Sequence, residues 1–235
     1  MYKGKTILAT ICARGGSKGV KNKNIKLLNN KPLIEYSLEL LKQSSLIDGY
    51  IISTENDKII EVVKNLGYKI EFKRPIELAG DDVSRIDAIK HAVLLKEQTE
   101  NTCYDIIVDL GVATPLKNTN DLDQVIKLCI DNNVENVFSV CPCAKNPYFN
   151  MVEVIQDKVK LVKETYDITA RQKAPSVYEM NDGFNIWTHT SLFSENSQFN
   201  NSTKIYIMPR LRSIDIDEEE DFLLAELILN KKNKF

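Results

Sequence analysis

Residues 6–24 read TILATICARGGSKGVKNKN, and the rest of the chain can be interpreted outward from this stretch. The apolar run at 7–13 has the length and composition of a buried strand. It stops at Arg14, and glycines, lysines and asparagines follow. Glycines allow backbone N–H groups to approach an anion closely, and cations add fixed positive charge. The stretch therefore predicts a strand that leads into an anion-binding loop.

The loop has the chemistry that phosphate binding requires. Arg14, Lys18 and Lys23 supply charge, Ser17 supplies a hydroxyl donor, and Gly16 leaves its backbone amide accessible. The order of glycine and lysine matches neither G-x-x-x-x-G-K-[ST] nor G-x-G-x-x-G. The alternative is a solvated glycine turn between a strand and a helix. The density of glycines and cations after a buried strand favours phosphate binding.

Beyond this loop, strand and helix patterns alternate. Strands are predicted at 7–13, 50–53, 68–72, 104–110 and 137–140, with a helical pattern in each interval. This alternation predicts a single α/β domain with a largely parallel sheet and helices on both faces. The loops after the first, third and fourth strands are expected to meet at the carboxyl edge of the sheet. After Cys143 the pattern changes to a hairpin (148–155 and 159–162), short strands at 184–187 and 205–208, and a final helix at 217–230.

Composition limits the classes of function. The chain has 235 residues, 43% of them apolar, and a net charge of −2, which disfavours a nucleic-acid surface or a polybasic membrane patch. No leader and no membrane-spanning run is seen, so we expect a soluble, cytoplasmic protein. Five cysteines, an odd number, are expected to be reduced. His91 and His189 lie far apart in sequence, which disfavours a histidine-rich metal site or a histidine-based triad.

A pair of carboxylates near the C-terminus is a candidate metal site. Residues 213–217 read SIDID, and alternation in a strand would place Ser213, Asp215 and Asp217 on one face. Two carboxylates opposite a cationic loop can hold Mg²⁺ that bridges phosphates. The alternative is that Asp217 caps the final helix.

Two other stretches carry weaker signals. Residues 74–79, RPIELA, follow the third predicted strand, and locally they are typical of a charged surface loop, with Asp81 and Asp82 as helix caps. Residues 171–187 contain Arg171, amides and aromatic side chains, which suit a polyhydroxylated acidic ligand. The alternative for this second stretch is an irregular arm that packs against another subunit.

Taken together, these stretches resemble the acylneuraminate cytidylyltransferases, or CMP-sialic acid synthetases. That family has A-R-x-G-S-K-G-x-x-x-K-N after its first strand, R-P-x-E-L-A after its third, and S-I-D-I-D before a C-terminal helix. Residues 13–24, 74–79 and 213–217 match these motifs in order, across nearly the whole chain.

The resemblance implies a Rossmann-like nucleotidyltransferase fold with a dimerisation arm inserted at about 146–180. It implies a reaction of CTP with an acidic 2-keto sugar that gives a CMP-sugar and pyrophosphate. It also implies a Mg²⁺ cofactor and a homodimer in which one subunit's arm covers the other's site.

The resemblance also implies roles for individual residues. Those in catalysis are Arg14, Lys23 and Asp217. Those that bind CTP are Arg14, Gly16, Ser17, Lys18, Asn24, Arg74 and Ser84. Those that hold the metal are Asp215 and Asp217, and those that contact the sugar are Thr114, Arg171 and Asn181.

The chain departs from the family pattern at Gly111, Lys117, Glu179 and Asn185. The family commonly has a side chain at the first of these positions and arginine at the second. We expect these departures to lie at the sugar end of the site, so the sugar can be a sialic, legionaminic or pseudaminic acid. The alternatives are an eight-carbon ulosonate or a non-sialic sugar as substrate, or a nucleotide-binding homologue that has lost catalysis.

Overall fold

Strands and helices alternate through the first part of the chain, as the sequence predicted. The computed structural model describes residues 1–163, 168, 170–195 and 198–232, without the side chains of Arg171 and Lys232. The strands are β1 Ile7–Cys12, β2 Leu27–Leu28, β3 Lys31–Pro32, β4 Gly49–Ser53, β5 Ile106–Leu110, β6 Asn136–Pro142, β7 Val152–Ile155, β8 Lys158–Leu161, β9 Tyr178–Thr188 and β10 Lys204–Ile207. The α-helices are α1 Leu33–Gln43, α2 Asp57–Asn65, α3 Arg85–Glu100, α4 Thr119–Asp131, α5 His189–Leu192 and α6 Glu219–Lys232.

One six-stranded sheet organises the molecule, in the order β10-β6-β9-β5-β1-β4. The pairs β1–β4, β1–β5 and β10–β6 are parallel, which confirms the prediction of a largely parallel sheet. Strand β9 is antiparallel to both β5 and β6 and lies between them. The sequence predicted only a short strand at 184–187, so both the length and the position of β9 were missed.

Apolar side chains pack on both faces of this sheet. On one face Ile7, Ala9 and Ile11 of β1 join the larger core with buried residues of α1, α2, α4 and α6. On the other face Leu8 of the same strand packs with buried residues of α3 and with Leu192. Because neighbouring residues of a strand point to opposite faces, this division confirms helices on both sides.

Side-chain caps fix where the helices begin. The Asn56 carboxamide oxygen accepts hydrogen bonds from the backbone N–H groups of Lys58 and Ile59 at the start of α2. Ser84 caps α3, and Asn118 forms a capping box with Asp121 at the start of α4. Such caps satisfy backbone donors that have no partner within the helix.

Two predicted strands do not form. Residues 68–72 pair with no strand among the described residues, although Tyr68 is buried and its hydroxyl donates to the Leu38 carbonyl at 2.8 Å. Residues 213–217 also lie outside the sheet and follow a 3₁₀ turn at Arg210–Arg212. Their contact with the loop after β5 includes a hydrogen bond from Ile216 N to Ala113 O at 2.9 Å.

The hairpin predicted after Cys143 is present as β7 and β8, and it lies within the region predicted as an arm. Several of its apolar side chains are exposed, including Val152, Val154 and Val159. None of the helices in the described part of the chain combines the length and hydropathy that crossing a membrane requires.

Candidate active site

A cavity of about 610 Å³ lies at the carboxyl edge of the sheet. It is formed by the loop after β1, the segment that leads into α3, the loop after β5, and parts of β9 and the segment before α6. The prediction that loops converge at this edge is therefore confirmed. Of the residues proposed from the sequence, the cavity is lined by Arg14, Ser17, Lys18, Lys23, Asn24, Arg74, Ser84 and Asp217.

Two cations of the opening loop share one carboxylate. Arg14 Nη1 lies 2.8 Å from Asp81 Oδ1, and Lys18 Nζ lies 2.8 Å from Asp81 Oδ2. Hydrogen bonds from Lys18, followed by its charge and by Arg14, lower the pKa of Asp81. Asp81 was predicted as a helix cap, but Ser84 caps the helix instead. The Asp81 carboxylate lines the cavity, where it is an anion that the protein itself places between the two cations.

Lys23 connects the opening loop to residues 213–217. Its Nζ donates to the Ile216 carbonyl at 2.5 Å and lies 3.0 Å from Asp217 Oδ1. Gly19 lies so close to the same segment that a Cβ there would be 2.0 Å from the Asp217 carbonyl oxygen. The loop and the carboxylate segment are therefore packed against each other, and only glycine fits at this point.

The two candidate metal carboxylates have different surroundings. Asp217 is 77% exposed at its side chain, whereas Asp215 is partly buried and accepts hydrogen bonds from Thr114 Oγ1 and from Asp182 N. Burial, together with the charges of Asp182 and Asp217, raises the pKa of Asp215 to about 6. A cation would relieve this accumulation of negative charge, and carboxylate oxygens are ligands that Mg²⁺ prefers, so this donor set fits the ion.

The alternative role of Asp217 as a helix cap is wrong. Helix α6 begins at Glu219, and the Asp221 carboxylate accepts hydrogen bonds from the backbone N–H groups of Asp217 and Glu218, both at 2.9 Å. The Asp217 side chain is therefore left to contact Lys23.

A buried ion pair supports the back of the opening loop. Arg74 Nη2 donates to Glu55 Oε2 at 2.6 Å, and Glu55 Oε1 accepts from Gly15 N at 2.6 Å. Asn24 Nδ2 donates to the Arg14 carbonyl at 2.8 Å. Through these contacts Arg74 and Asn24, both predicted as nucleotide ligands, also hold the loop backbone in place.

A charged network behind the cavity was not foreseen. Thr10 Oγ1 donates to Asp109 Oδ1 at 2.7 Å, and Arg85 forms ion pairs with Asp109 and Asp182. Burial raises the pKa of Asp109, and the charge of Arg85 opposes this rise. Two signals were available in the sequence: a carboxylate inside the apolar run of β5, and an arginine in the first turn of α3, where the helix dipole disfavours a cation.

Other predicted residues lie outside the cavity lining. Gly16 is exposed on the loop, and Thr114 is fully buried against Asp215. Asn181 is buried, and its Oδ1 accepts from Ser139 Oγ at 2.5 Å and from Gly183 N at 3.0 Å. The side chain of Arg171 falls outside the described part of the structure.

The departures Gly111 and Lys117 serve the protein's own packing. A Cβ on Gly111 would lie 1.6 Å from the Asp182 carbonyl oxygen, so β9 occupies the place of a side chain. Lys117 is buried, and its Nζ donates to Ser37 Oγ, Gly111 O and Thr114 O. Neither residue lines the cavity, contrary to the expectation that both face the sugar.

The sheet and its cavity define the class, a Rossmann-like nucleotidyltransferase fold. A solved structure of "CMP:2-keto-3-deoxy-manno-octonic acid synthetase complexed with CTP" superimposes with a TM-score of 0.70 at 14% identity, covering 97% of this chain and 99% of that one. The family model for cytidylyltransferases matches residues 8–232, and the chain belongs to this family.

Two relatives match over almost their whole length. A Campylobacter jejuni protein named CMP-N,N'-diacetyllegionaminic acid synthase is 37% identical over 97% of this chain and 96% of its own length. A Campylobacter coli protein named post-translational flagellin modification protein B is 35% identical with the same coverage. The resemblance inferred from the motifs is therefore confirmed at the level of the family.

Proposed function

We propose that this protein transfers the cytidylyl group of CTP to an acidic 2-keto sugar of the sialic, legionaminic or pseudaminic acid type, with release of pyrophosphate. The observation that carries the proposal is the cavity, where the cationic loop with Arg14, Lys18 and Lys23 shares one opening with the Asp217 carboxylate. A relative also supports the proposal, because the chain is 37% identical to the Campylobacter jejuni legionaminic acid synthase over nearly its full length.

In this reaction the sugar hydroxyl attacks the α-phosphorus of CTP in line with departing pyrophosphate. Positioning and neutralisation of charge supply most of the catalysis in such transfers. Arg14 and Lys18 hold the triphosphate, which takes the place of Asp81 between them. Lys23, fixed at the segment that carries Asp217, adds charge on the opposite side.

Asp215 and Asp217 would hold Mg²⁺, which when bound neutralises phosphate charge and lowers the pKa of a coordinated hydroxyl. Thr114 and the Asp182 amide orient the Asp215 carboxylate, and Lys23 orients that of Asp217. These contacts fix the oxygen donors before the substrates arrive.

The cytidine is assigned to the wall formed by Asn24, Arg74 and Ser84. Arg74 Nε is buried without a hydrogen-bond partner among the described residues, so it keeps a donor for the ligand. A buried donor without a partner is costly, and a nucleotide that accepts from it would recover that cost.

We also propose that the protein is a homodimer that uses the hairpin β7–β8. Val152, Val154 and Val159 are 61%, 66% and 68% exposed, and such a cluster of exposed apolar side chains is typical of an interface. Light scattering coupled to size exclusion tests this proposal, and a monomer at micromolar concentration contradicts it.

Pyrophosphate release measured with CTP, Mg²⁺ and a panel of sugars tests the main proposal. The panel contains N-acetylneuraminic, legionaminic and pseudaminic acids, an eight-carbon ulosonate and a neutral sugar phosphate. We expect turnover with at least one nine-carbon acid and loss of the Mg²⁺-dependent rate in Asp217→Ala. Turnover of only the neutral sugar phosphate contradicts the proposal, and CTP binding by calorimetry without any turnover identifies an inactive homologue.

A further inference from the structure

A second cluster of chemically reactive side chains lies at the opposite, amino edge of the sheet. Glu97 comes from the end of α3, Cys103 from the turn before β5, and His189 from the residue after β9. One donor atom from each of the three lies within 4.8 Å of the other two. No sequence pattern connects His189 with a cysteine, because the two meet only through the antiparallel course of β9, which brings its end beside the start of β5.

Secondary contacts hold two of these side chains in place. Glu97 Oε1 accepts from the Tyr104 backbone N at 2.9 Å, which leaves Glu97 Oε2 inside the cluster, 3.2 Å from His189 Nε2. The His189 backbone N donates to the Asp105 carbonyl at 2.9 Å, and its ring packs on Phe193 at a centroid distance of 4.8 Å. Such second contacts are what orient metal ligands in known sites.

We propose that Glu97, Cys103 and His189 bind a zinc-class transition metal ion. Thiolate, imidazole and carboxylate together suit Zn²⁺ and its neighbours, whereas Mg²⁺ prefers sites built only from oxygen. Zinc ligands lie about 2.0–2.3 Å from the ion and hence roughly 3.3–3.7 Å from one another. The three side chains therefore need to close by only about an ångström.

Charge and space agree with this assignment. One thiolate and one carboxylate balance the two charges of the ion, and the proton that the Cys103 thiol loses goes to solvent. A cavity of about 400 Å³, lined by Cys103 and His189 among others, lies beside the cluster. It leaves room for water or a small ligand at a fourth position. Asp105 also lines this cavity, but its carboxylate is already bound to Lys5 and Thr6.

Metal content of the full chain, purified under reducing conditions, tests the proposal. The protein is dialysed against micromolar Zn²⁺ with millimolar Mg²⁺, so that Mg²⁺ occupies the oxygen ligands of the nucleotide site. Bound zinc is then measured by mass spectrometry. The variants are Cys103→Ser and His189→Asn, and the control is Cys143→Ser, which removes a half-buried cysteine that contacts Glu179 instead.

We expect one zinc per chain in the wild type and in Cys143→Ser, and at least a tenfold lower occupancy in the other two variants. Substitution with Co²⁺ should give a thiolate-to-metal absorption band that Cys103→Ser lacks. Cys103 is exposed, so its replacement by serine is expected to leave the fold intact. Absence of bound zinc in the wild type, or equal zinc in Cys103→Ser, overturns the proposal without affecting the cytidylyltransferase assignment.

Discussion

The buried pair between Arg74 and Glu55 gives the sharpest test of how the opening loop is held. The Arg74 side chain is 4% exposed and that of Glu55 is 10% exposed. In Glu55→Gln the amide oxygen can still accept from Gly15 N, but the amide NH₂ group then faces Arg74 Nη2. Two donors oppose each other, and the guanidinium charge loses its only ion-pair partner among the described residues.

Removal of one partner from a buried ion pair costs about 3–5 kcal/mol, because the other charge stays buried without compensation. For a chain of this size that loss lowers the melting temperature by roughly 6–20 °C. Burial raises the pKa of Glu55, but hydrogen bonds from Arg74 and Gly15 outweigh it and leave the pKa below its ordinary value. The pair therefore contributes stability above the ordinary glutamate pKa, and this contribution is lost as the pH falls through the lowered pKa.

Urea unfolding at pH 7, followed by circular dichroism, measures the effect. The matched control is Glu153→Gln in the hairpin, whose partner Lys160 lies 3.4 Å away and is 44% exposed. An exposed pair of this kind is worth about 0–1 kcal/mol. If Glu55→Gln unfolds with the same free energy as Glu153→Gln, the argument that this pair supports the loop is wrong.

Three further substitutions probe other parts of the site. Gly111→Ala should cost about 1–3 kcal/mol in urea unfolding, because the new Cβ would overlap the Asp182 carbonyl oxygen. Asp81→Asn should lower KM for CTP a few-fold at unchanged kcat, since the two loop cations would no longer be paired with a competing carboxylate. The pKa of Asp215 is about 6, so the Mg²⁺ concentration that gives half-maximal activity should fall as the pH rises from 5 to 6 and level off above 7. Asp215→Asn should lack this dependence.

A specific result would contradict each of these predictions. Full stability of Gly111→Ala would show that β9 can move away from the loop after β5 without cost. A higher KM for CTP in Asp81→Asn would mean that this carboxylate positions the loop cations for the nucleotide. A Mg²⁺ requirement that is constant between pH 5 and 7 would separate Asp215 from the metal.

Local periodicity was sufficient for much of the fold. The apolar run before Arg14 and the helical patterns between the first five predicted strands each depend on neighbours in sequence, and the strand and the helices α1 to α4 formed as predicted. Strand β9 could not be predicted in this way, because its position in the sheet depends on pairing with both β5 and β6, which are distant in sequence. The predicted strand at 68–72 failed for the opposite reason: its apolar residues alternate, and Tyr68 is buried while Ile70 and Phe72 are half-buried, but the segment makes no strand pairing in the described structure.

The cationic loop and the carboxylate segment were also foreseen, because glycines, cations and paired aspartates are local signals. What the sequence left out were partners distant along the chain. Asp81 between two cations and Asp182 beside Gly111 follow only from the folded arrangement. Lys117 was misassigned because its three oxygen acceptors come from α1 and from its own loop, which no spacing rule reveals.

The position of β9 also sets an order in which the chain can fold. Strands β1, β4 and β5 can pair once Leu110 has left the ribosome, but the second edge of β5 stays open until Tyr178–Thr188 emerges. Among the described strands β6 pairs with β9 and β10 alone, and both come later in the chain, so β6 is synthesised before either partner. An open, apolar strand edge is where nascent chains associate wrongly. Ribosome-bound chains that end before β9 should therefore depend on chaperones, and chains extended past it should not.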